Sequence, residues 1–290
     1  MASGQHQNPH GFFERPAGTR ADQNYTIVTA VWDVLSAAAA KAAGASHLFI
    51  SGAAINNVHG YPDRGVLDVI DIARTVGEIT DAVGLPILVD AETGFGTLPR
   101  LTRLIKELYS AGARAVMIED QDVTGQSKTE DQTPAIGDPG EMRDRIRLIR
   151  SIAPDMGIVA RTDYLEGMKF SESIARLHTY IEAGADWAMP VFVPSIEDYR
   201  SVAKEFSNRL VLLLAPGPYP HGPLLPHFEH MREIKPNAIL ITGQYRNAYV
   251  NLKSIYGMSL QGKWTEMHAG RPDPKKLDEE LGLRRLGMTL

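Results

Sequence analysis

The chain has 290 residues, 43% hydrophobic and 22% charged, with a formal net charge of -5 and no cysteine. This is globular composition with ample core material. It excludes disulfides, thiolate metal sites and cysteine nucleophiles, shows no basic footprint for nucleic acid, and has no apolar run long enough to span a bilayer.

Residues 1–24 are rich in Gly, Pro, Gln, Asn and His and lack the apolar core of a secretory signal. They read as a flexible or partner-docked extension of a cytoplasmic protein. From residue 25 onward, short apolar runs alternate with helical patterns. Strand-like runs fall at 26–31, 47–51, 86–90, 115–119, 158–161, 187–192, 210–215 and 238–242. Their near-continuous Val, Ile, Leu and Met content is that of parallel strands buried on both faces. Between them, Asp33 is placed to cap an alanine-rich helix over 33–43. Leu98, Leu101, Leu104, Ile105 and Leu108 stand at helical spacing in 98–111, as do Met142, Ile146, Ile149 and Ile152 in 141–152. Segments 171–183 and 195–206 each open on a serine suited to capping, and a last helix is expected over 245–256.

Ala-Gly-Ala recurs at 43–45, 111–113 and 183–185, each time between a helix and a strand. A glycine helix cap followed by a short loop explains the triplet. Eight alternating units predict an α/β fold, a (β/α)8 TIM barrel over 25–260, with a polar helical segment at 261–290 packing on the barrel or on a neighbouring subunit. A doubly wound open sheet is the rival topology.

Catalytic groups of such barrels gather at the C-terminal ends of the strands. Those ends read Ser51-Gly52, Asp90 with Glu92, Glu119-Asp120, Arg161-Thr162-Asp163 and Thr242-Gly243. Strand alternation points Asp90 and Glu92 to one side. Clustered carboxylates call for a positive partner, and Mg²⁺ or Mn²⁺ takes such oxygen ligands. Arg161 suits a substrate carboxylate. Alternatives stay open in which Asp90 and Glu92 cap a helix or pair with Arg100 and Arg103, and in which Arg161 serves only an ion pair with Glu119-Asp120. The nine histidines show no metal-ligand spacing, and His6, His10, His221, His227 and His230 read as surface residues. Two segments look like lids: 59–65, which carries Tyr61 and Asp63 between Gly60 and Gly65, and the long loop that holds Lys128.

With these residues in view, the chain resembles the isocitrate lyase/phosphoenolpyruvate mutase superfamily. The resemblance runs from about Thr26 to Tyr256. It rests on Asp33-Val-Leu-Ser-Ala37 with Ile50-Ser51-Gly52, Tyr61-Pro-Asp-Arg-Gly65, Asp90-Ala-Glu-Thr-Gly-Phe-Gly96, Ile118-Glu-Asp-Gln121 and Ala160-Arg-Thr-Asp163, in order and at barrel-unit spacing. It implies a Mg²⁺-dependent enzyme, often a helix-swapped homo-oligomer (dimer or tetramer), acting on 2-oxo or 2-hydroxy acids through an enolpyruvate-like species. It assigns Asp90, Glu92 and Glu119 to the metal, directly or through water. Ser51, Gly52, Gly94 and Arg161 go to a small carboxylic acid substrate, and Asp63, Arg161, Tyr61 and Lys128 to catalysis. Neither nucleic acid nor membrane is an expected partner.

The chain departs from the pattern in several places. Glu92 stands where the family has aspartate. Residues 122–128 lack the cysteine of the lyase branch. Val191 follows Pro190 where glutamate is usual, and Ala215-Pro-Gly-Pro-Tyr219 replaces an asparagine region. The expected activity is therefore a Mg²⁺-dependent carbon–carbon lyase, by decarboxylation or retro-aldol cleavage. A phosphonate-handling mutase or hydrolase and a non-catalytic metabolite-binding barrel are the alternatives.

Overall fold

The computed structural model describes residues 11–14, 24–63, 65–122, 135–163, 168–214 and 228–281. Strands and helices alternate as β1 Thr26–Val31, α1 Val34–Ala42, β2 His47–Ile50, α2 Gly52–Val58, α3 Val69–Val83, β3 Ile87–Asp90, α4 Leu98–Ser110, β4 Ala115–Glu119, α5 Pro139–Ile152, β5 Gly157–Asp163, α6 Phe170–Glu182, β6 Trp187–Val191, α7 Ile196–Glu205, β7 Val211–Leu214, α8 Phe228–Ile234, β8 Ala238–Ile241 and α9 Gln244–Leu260. Two short helices follow, α10 Trp264–His268 and α11 Pro274–Glu280. All eight expected strands are present.

The strands pair in parallel in the order β6-β5-β4-β3-β2-β1-β8-β7. The two ends of that order meet at a bridge between Ala188 and Leu210, where the Ala188 N–H donates to the Arg209 carbonyl at 2.8 Å. Residues two apart on a strand direct their N–H groups to the same side. The next donor toward β7 therefore belongs to Pro190, which has none. The result is a nearly closed (β/α)8 TIM barrel whose seam has a residue-level cause.

Alternation along the strands builds two cores. Val28, Phe49, Leu88, Met117, Val159, Met189 and Leu240 fill the barrel interior. Ile50, Val89, Val116, Ile118, Ile158 and Ala160 face the helices. Phe13 closes the N-terminal end of the interior, with its ring centroid 4.6 Å from that of Trp187. Its carbonyl accepts from Thr26 Oγ1 at 2.9 Å. The neighbouring Phe12 carbonyl lies 2.7 Å from His47 Nε2, and a carbonyl only accepts, so Nε2 carries the proton. Part of the polar extension is thus docked in the barrel floor.

Each Ala-Gly-Ala triplet forms the same helix stop. The alanines Ala43, Ala111 and Ala183 are the C-caps, and the glycine lies one residue beyond, not at the cap itself. It is left-handed in each case, with φ of 94° at Gly44, 96° at Gly112 and 113° at Gly184. The following N–H reaches back to the carbonyl five residues earlier: Ala45 to Ala40, Ala113 to Leu108 and Ala185 to Tyr180. This is the Schellman arrangement, which satisfies the last helical carbonyls.

Asp33 and Ser195 cap α1 and α7 as expected. Ser171 does not cap: α6 starts at Phe170, its N-cap is Lys169, and no side chain closes it. Leu98 is exposed, while Leu101, Leu104, Ile105 and Leu108 are buried. The helices α2, α3 and α8 were not among those expected. In α3, Val69, Ile72, Val76, Ile79 and Val83 form the buried stripe, Asp68 and Asp71 make a reciprocal capping box, and Gly84 ends the helix in the left-handed region. At the C-terminus, Leu281 packs against the core.

Candidate active site

The barrel register brings together the inward-facing residues at the strand ends. Glu119 and Arg161 are register neighbours on β4 and β5. Arg161 Nη1 lies 3.0 Å from Glu119 Oε2. Its Nε and Nη2 donate to Asp163 Oδ1 and Oδ2 at 2.7 and 2.8 Å, and Gln121 Nε2 donates to the same Asp163 Oδ2 at 2.7 Å. Burial alone would lower the Arg161 pKa, but the charges of Asp163, Glu119 and Asp90 outweigh it and hold the guanidinium's pKa well above its usual value. Arg161 is a fixed cation in a buried acidic ring.

Asp90 and Glu92 converge on Gly52, though not by strand alternation. β3 ends at Asp90, and Glu92 has a left-handed backbone with φ of 49°. Phe95 is also left-handed, with φ of 60°. Such conformations in bulky residues cost about 1–3 kcal/mol each and persist where surrounding bonds hold them. Here Ala91 N–H donates to the Met117 carbonyl at 2.8 Å, Glu119 N–H to the Glu92 carbonyl at 2.9 Å, and Gly94 N–H to the Ala91 carbonyl at 2.9 Å. The turn swings the Glu92 carboxylate onto Gly52, where an added Cβ would overlap Glu92 Oε1 and stand 3.1 Å from Asp90 Oδ2. Asp90 Oδ2 accepts from the Gly52 N–H at 3.1 Å and Oδ1 from the Glu92 N–H at 3.0 Å.

Other expected residues fall differently. Ser51 is buried at the start of α2, and its side chain makes no cap hydrogen bond. Gly94 faces away from the mouth: a Cβ there would touch Leu101 and Ile118 of the outer core at 3.3 and 3.6 Å. Its φ of 86° is left-handed, and its N–H is committed to the Ala91 carbonyl. Tyr61 and Asp63 are exposed on the segment after α2, with the Tyr61 N–H bonded to the Asn56 carbonyl. Lys128 lies outside the described residues. The ends of its loop are pinned, since Asp122 N–H donates to the Ala135 carbonyl at 2.8 Å and Gln121 bridges Ile136. Among the expected surface histidines, His230 is half-buried, and His6, His10, His221 and His227 lie outside the described residues.

Asp120 meets Arg161 through the backbone alone, its N–H donating to the Arg161 carbonyl at 3.3 Å, and its side chain takes other partners. Adjacent strand residues face opposite sides, so it points outward, where its Oδ2 accepts from Tyr180 OH at 2.6 Å, Thr162 Oγ1 at 2.8 Å and Arg176 Nη1 at 3.2 Å. Burial pushes its pKa up, against the Tyr180 and Thr162 hydrogen bonds and the Arg176 charge. Asp163 and Gln121, by contrast, join Arg161 in the site, a part that the strand-end pattern alone does not assign. Their i, i+2 spacing from Arg161 and Glu119 carries the signal.

Among the described residues, no group of three or more His, Cys, Asp or Glu side chains is disposed to hold a metal ion unaided. Asp90, Glu92 and Glu119 therefore form no closed cage, and Glu119 is engaged by Arg161. The Asp90–Glu92 pair over the bare Gly52 still fits a hard divalent cation. Mg²⁺ typically takes one or two carboxylates and keeps several waters.

The family model described as phosphoenolpyruvate phosphomutase matches residues 19–250. The 2-methylisocitrate lyase of Halalkalibacterium halodurans is 36% identical over 179 residues, covering 62% of this chain and 59% of that one. The chain thus spans less than two thirds of that curated relative's length. A solved structure of 2,3-dimethylmalate lyase, a PEP mutase/isocitrate lyase superfamily member, is similar with a TM-score of 0.76 and 25% identity, covering 92% of this chain and 90% of that one. Oxaloacetate acetylhydrolase in complex with its product oxalate is similar with a TM-score of 0.79 and 21% identity, covering 96% and 94%. At that identity the likeness concerns the fold.

Proposed function

Because this chain belongs to the phosphoenolpyruvate phosphomutase family, within the PEP mutase/isocitrate lyase superfamily, we propose that it is a divalent-metal-dependent carbon–carbon lyase acting on a 2-oxo or 2-hydroxy carboxylic acid. The observation that carries this reading is the convergence of Asp90 and Glu92 on Gly52 beside an Arg161 clamped by Asp163 and Glu119. The names of the relatives support the reaction class, since 2-methylisocitrate lyase and 2,3-dimethylmalate lyase are both lyases.

Asp90 and Glu92 would hold Mg²⁺ or Mn²⁺, with Glu119 acting directly or through water. The bound ion would supply Lewis-acid polarisation of the substrate's 2-oxygen. Arg161 faces the same mouth as a permanent cation and favours negative charge that develops when a bond at C3 breaks to leave an enolate. Asp163 and Glu119 fix the plane of that guanidinium, so the charge is aimed before the substrate arrives. Ser51, whose hydroxyl is not used in capping, would take the substrate carboxylate. The Gly52 N–H is already committed to Asp90, so its contribution is to orient that carboxylate. Tyr61, Asp63 or Lys128 would deliver or accept a proton. Decarboxylation and retro-aldol cleavage both fit. The absence of cysteine favours decarboxylation, which needs no acid for a departing carbanion fragment.

The decisive experiment is turnover of oxaloacetate and substituted malates by wild type and Asp90→Ala, with and without Mg²⁺. Loss of activity on substitution and on chelation is expected. Full turnover after chelation would overturn the proposal. A mutase acting on phosphonopyruvate is the second reading, which the family model favours by its description. Among the described residues the strand ends supply one arginine, already engaged by two carboxylates, and a phosphonate dianion asks for more positive charge. Phosphorus NMR of a phosphonopyruvate incubation separates the two.

We also propose a homo-oligomer (dimer or tetramer). Tyr249, Val250 and Tyr256 on α9 are 67%, 61% and 64% exposed, and none of the residues of α9 is buried. Light scattering on the purified protein tests this. No described helix is long and apolar enough to cross a membrane, and a cytoplasmic location is part of the same proposal.

A further inference from the structure

Gln121 follows Glu119 at the strand period of two. Ala115 and Met117 of the same run fill the barrel interior, so Gln121 also faces inward at the mouth. Its backbone neighbours are held on both sides, with Gly137 N–H donating to the Asp120 carbonyl at 2.7 Å and Asp122 N–H to the Ala135 carbonyl at 2.8 Å. The residue is 4% exposed. Its Nε2 donates to Asp163 Oδ2 at 2.7 Å. The reverse amide orientation would set oxygen against oxygen there, so this bond assigns which end of the amide is which. Oε1 is then a buried acceptor with no hydrogen-bond partner among the described residues. Such an acceptor is unfavourable until a donor meets it.

We propose that Gln121 is a specificity-determining residue whose Oε1 accepts a hydrogen bond from the 2-hydroxyl of the bound acid. The ligand class rests on the lyase reading above, whereas the unmet acceptor rests on geometry alone. Asp163 Oδ2 takes both Gln121 Nε2 at 2.7 Å and Arg161 Nη2 at 2.8 Å. A small acid drawn to Arg161 therefore lies beside the Gln121 amide. Within the class, elimination identifies the donor. An ionised carboxylate and a 2-oxo group only accept, whereas a 2-hydroxyl also donates. The site then favours 2-hydroxy acids over their 2-oxo counterparts. This weighs toward retro-aldol cleavage, which starts from a hydroxyl, and against the bias that the missing cysteine alone gives.

Calorimetric titration in the presence of Mg²⁺ tests it, using D-lactate, L-lactate and pyruvate, which differ only at C2. Wild type is expected to bind one lactate more tightly than pyruvate, and the opposite order overturns the preference. Gln121→Met removes the acceptor, and the ratio of lactate to pyruvate affinity should fall about tenfold. Gln121→Lys can still donate to Asp163 but cannot accept. It should move the ratio the same way, and it carries the test alone if the methionine variant does not fold. A merely structural role would act through Asp163 and Arg161 and weaken both acids alike, because both carry the same carboxylate. Equal weakening, or an unchanged ratio, overturns the proposal and leaves the lyase reading standing. If wild type binds neither lactate nor pyruvate, the lyase reading fails and the proposal with it.

Discussion

Arg161 and Asp163 face each other two residues apart on β5, joined by paired bonds of 2.7 and 2.8 Å between the Nε and Nη2 edge and the two carboxylate oxygens. Asp163 is 1% exposed. Gln121 adds a third bond to it from β4. The pair is a side-on fork that fixes the plane of the guanidinium and leaves its far end toward Glu119. A lysine could carry the charge but not the plane.

Asp163→Asn keeps the shape and removes the charge, so Arg161 keeps Glu119 alone as a close ionic partner. Breaking one side of a buried pair costs about 3–5 kcal/mol, and the Glu119 contact should hold the loss near the lower end. Denaturant unfolding reads this. In the proposed reaction kcat should fall more than the apparent affinity for substrate, because an unaligned Arg161 still attracts an acid but no longer meets the developing charge. A fall in affinity with kcat intact would remove Asp163 from the positioning role.

Tyr180→Phe separates the outward cluster from the site. Tyr180 OH donates to Asp120 Oδ2 at 2.6 Å, and its own pKa is driven up by burial and by the Asp120 charge. A hydrogen bond to a charged group contributes about 1.5–3 kcal/mol, so stability should drop by that order while turnover stays within about twofold. A large kinetic effect with unchanged stability would place Asp120 in the chemistry.

The same cluster shows how much the chain made legible. The eight strands were readable because each is a Val, Ile, Leu or Met run buried on both faces, and the order of strand ends followed. Glu119-Asp120 was read as one acidic unit, although the period of two sends Glu119 to Arg161 and Asp120 to Tyr180. Asp90 and Glu92 were matched correctly for the wrong reason: a left-handed turn, not alternation, brings them together. Such a turn is held by bonds to β4 that no local pattern contains. The helix α3 is less legible, because the Gly60 and Gly65 segment before it reads as a loop, although its buried stripe is regular. Phe12 and Phe13 were lost in a polar extension, since their partner Trp187 is far away in sequence.

Phe13→Ala tests that docking. The ring fills the barrel floor against Trp187 and is 6% exposed. Removing a buried phenylalanine costs about 3–5 kcal/mol through lost transfer and the cavity left behind. Tm should fall, and Trp187 emission should shift to the red as water reaches the floor. Unchanged stability and emission would mean that residues 11–14 do not hold this position in solution.

The floor should also respond to pH through His47. Burial lowers its pKa below 6.5, and the Phe12 carbonyl only partly offsets this. Between the folded and unfolded values the unfolded chain binds more protons, so stability rises with pH. This contribution is present in full above 6.5 and erodes as pH falls below it. Asp120 runs the opposite way, since its raised pKa makes the folded state the better proton binder, so the net profile mixes both. Subtracting the Tm profile of His47→Gln from that of wild type between pH 7.5 and 5.5 isolates the histidine. The amide can still donate to the Phe12 carbonyl but does not titrate, so the wild-type curve should fall more steeply toward low pH. Parallel curves would show that His47 bears no such load.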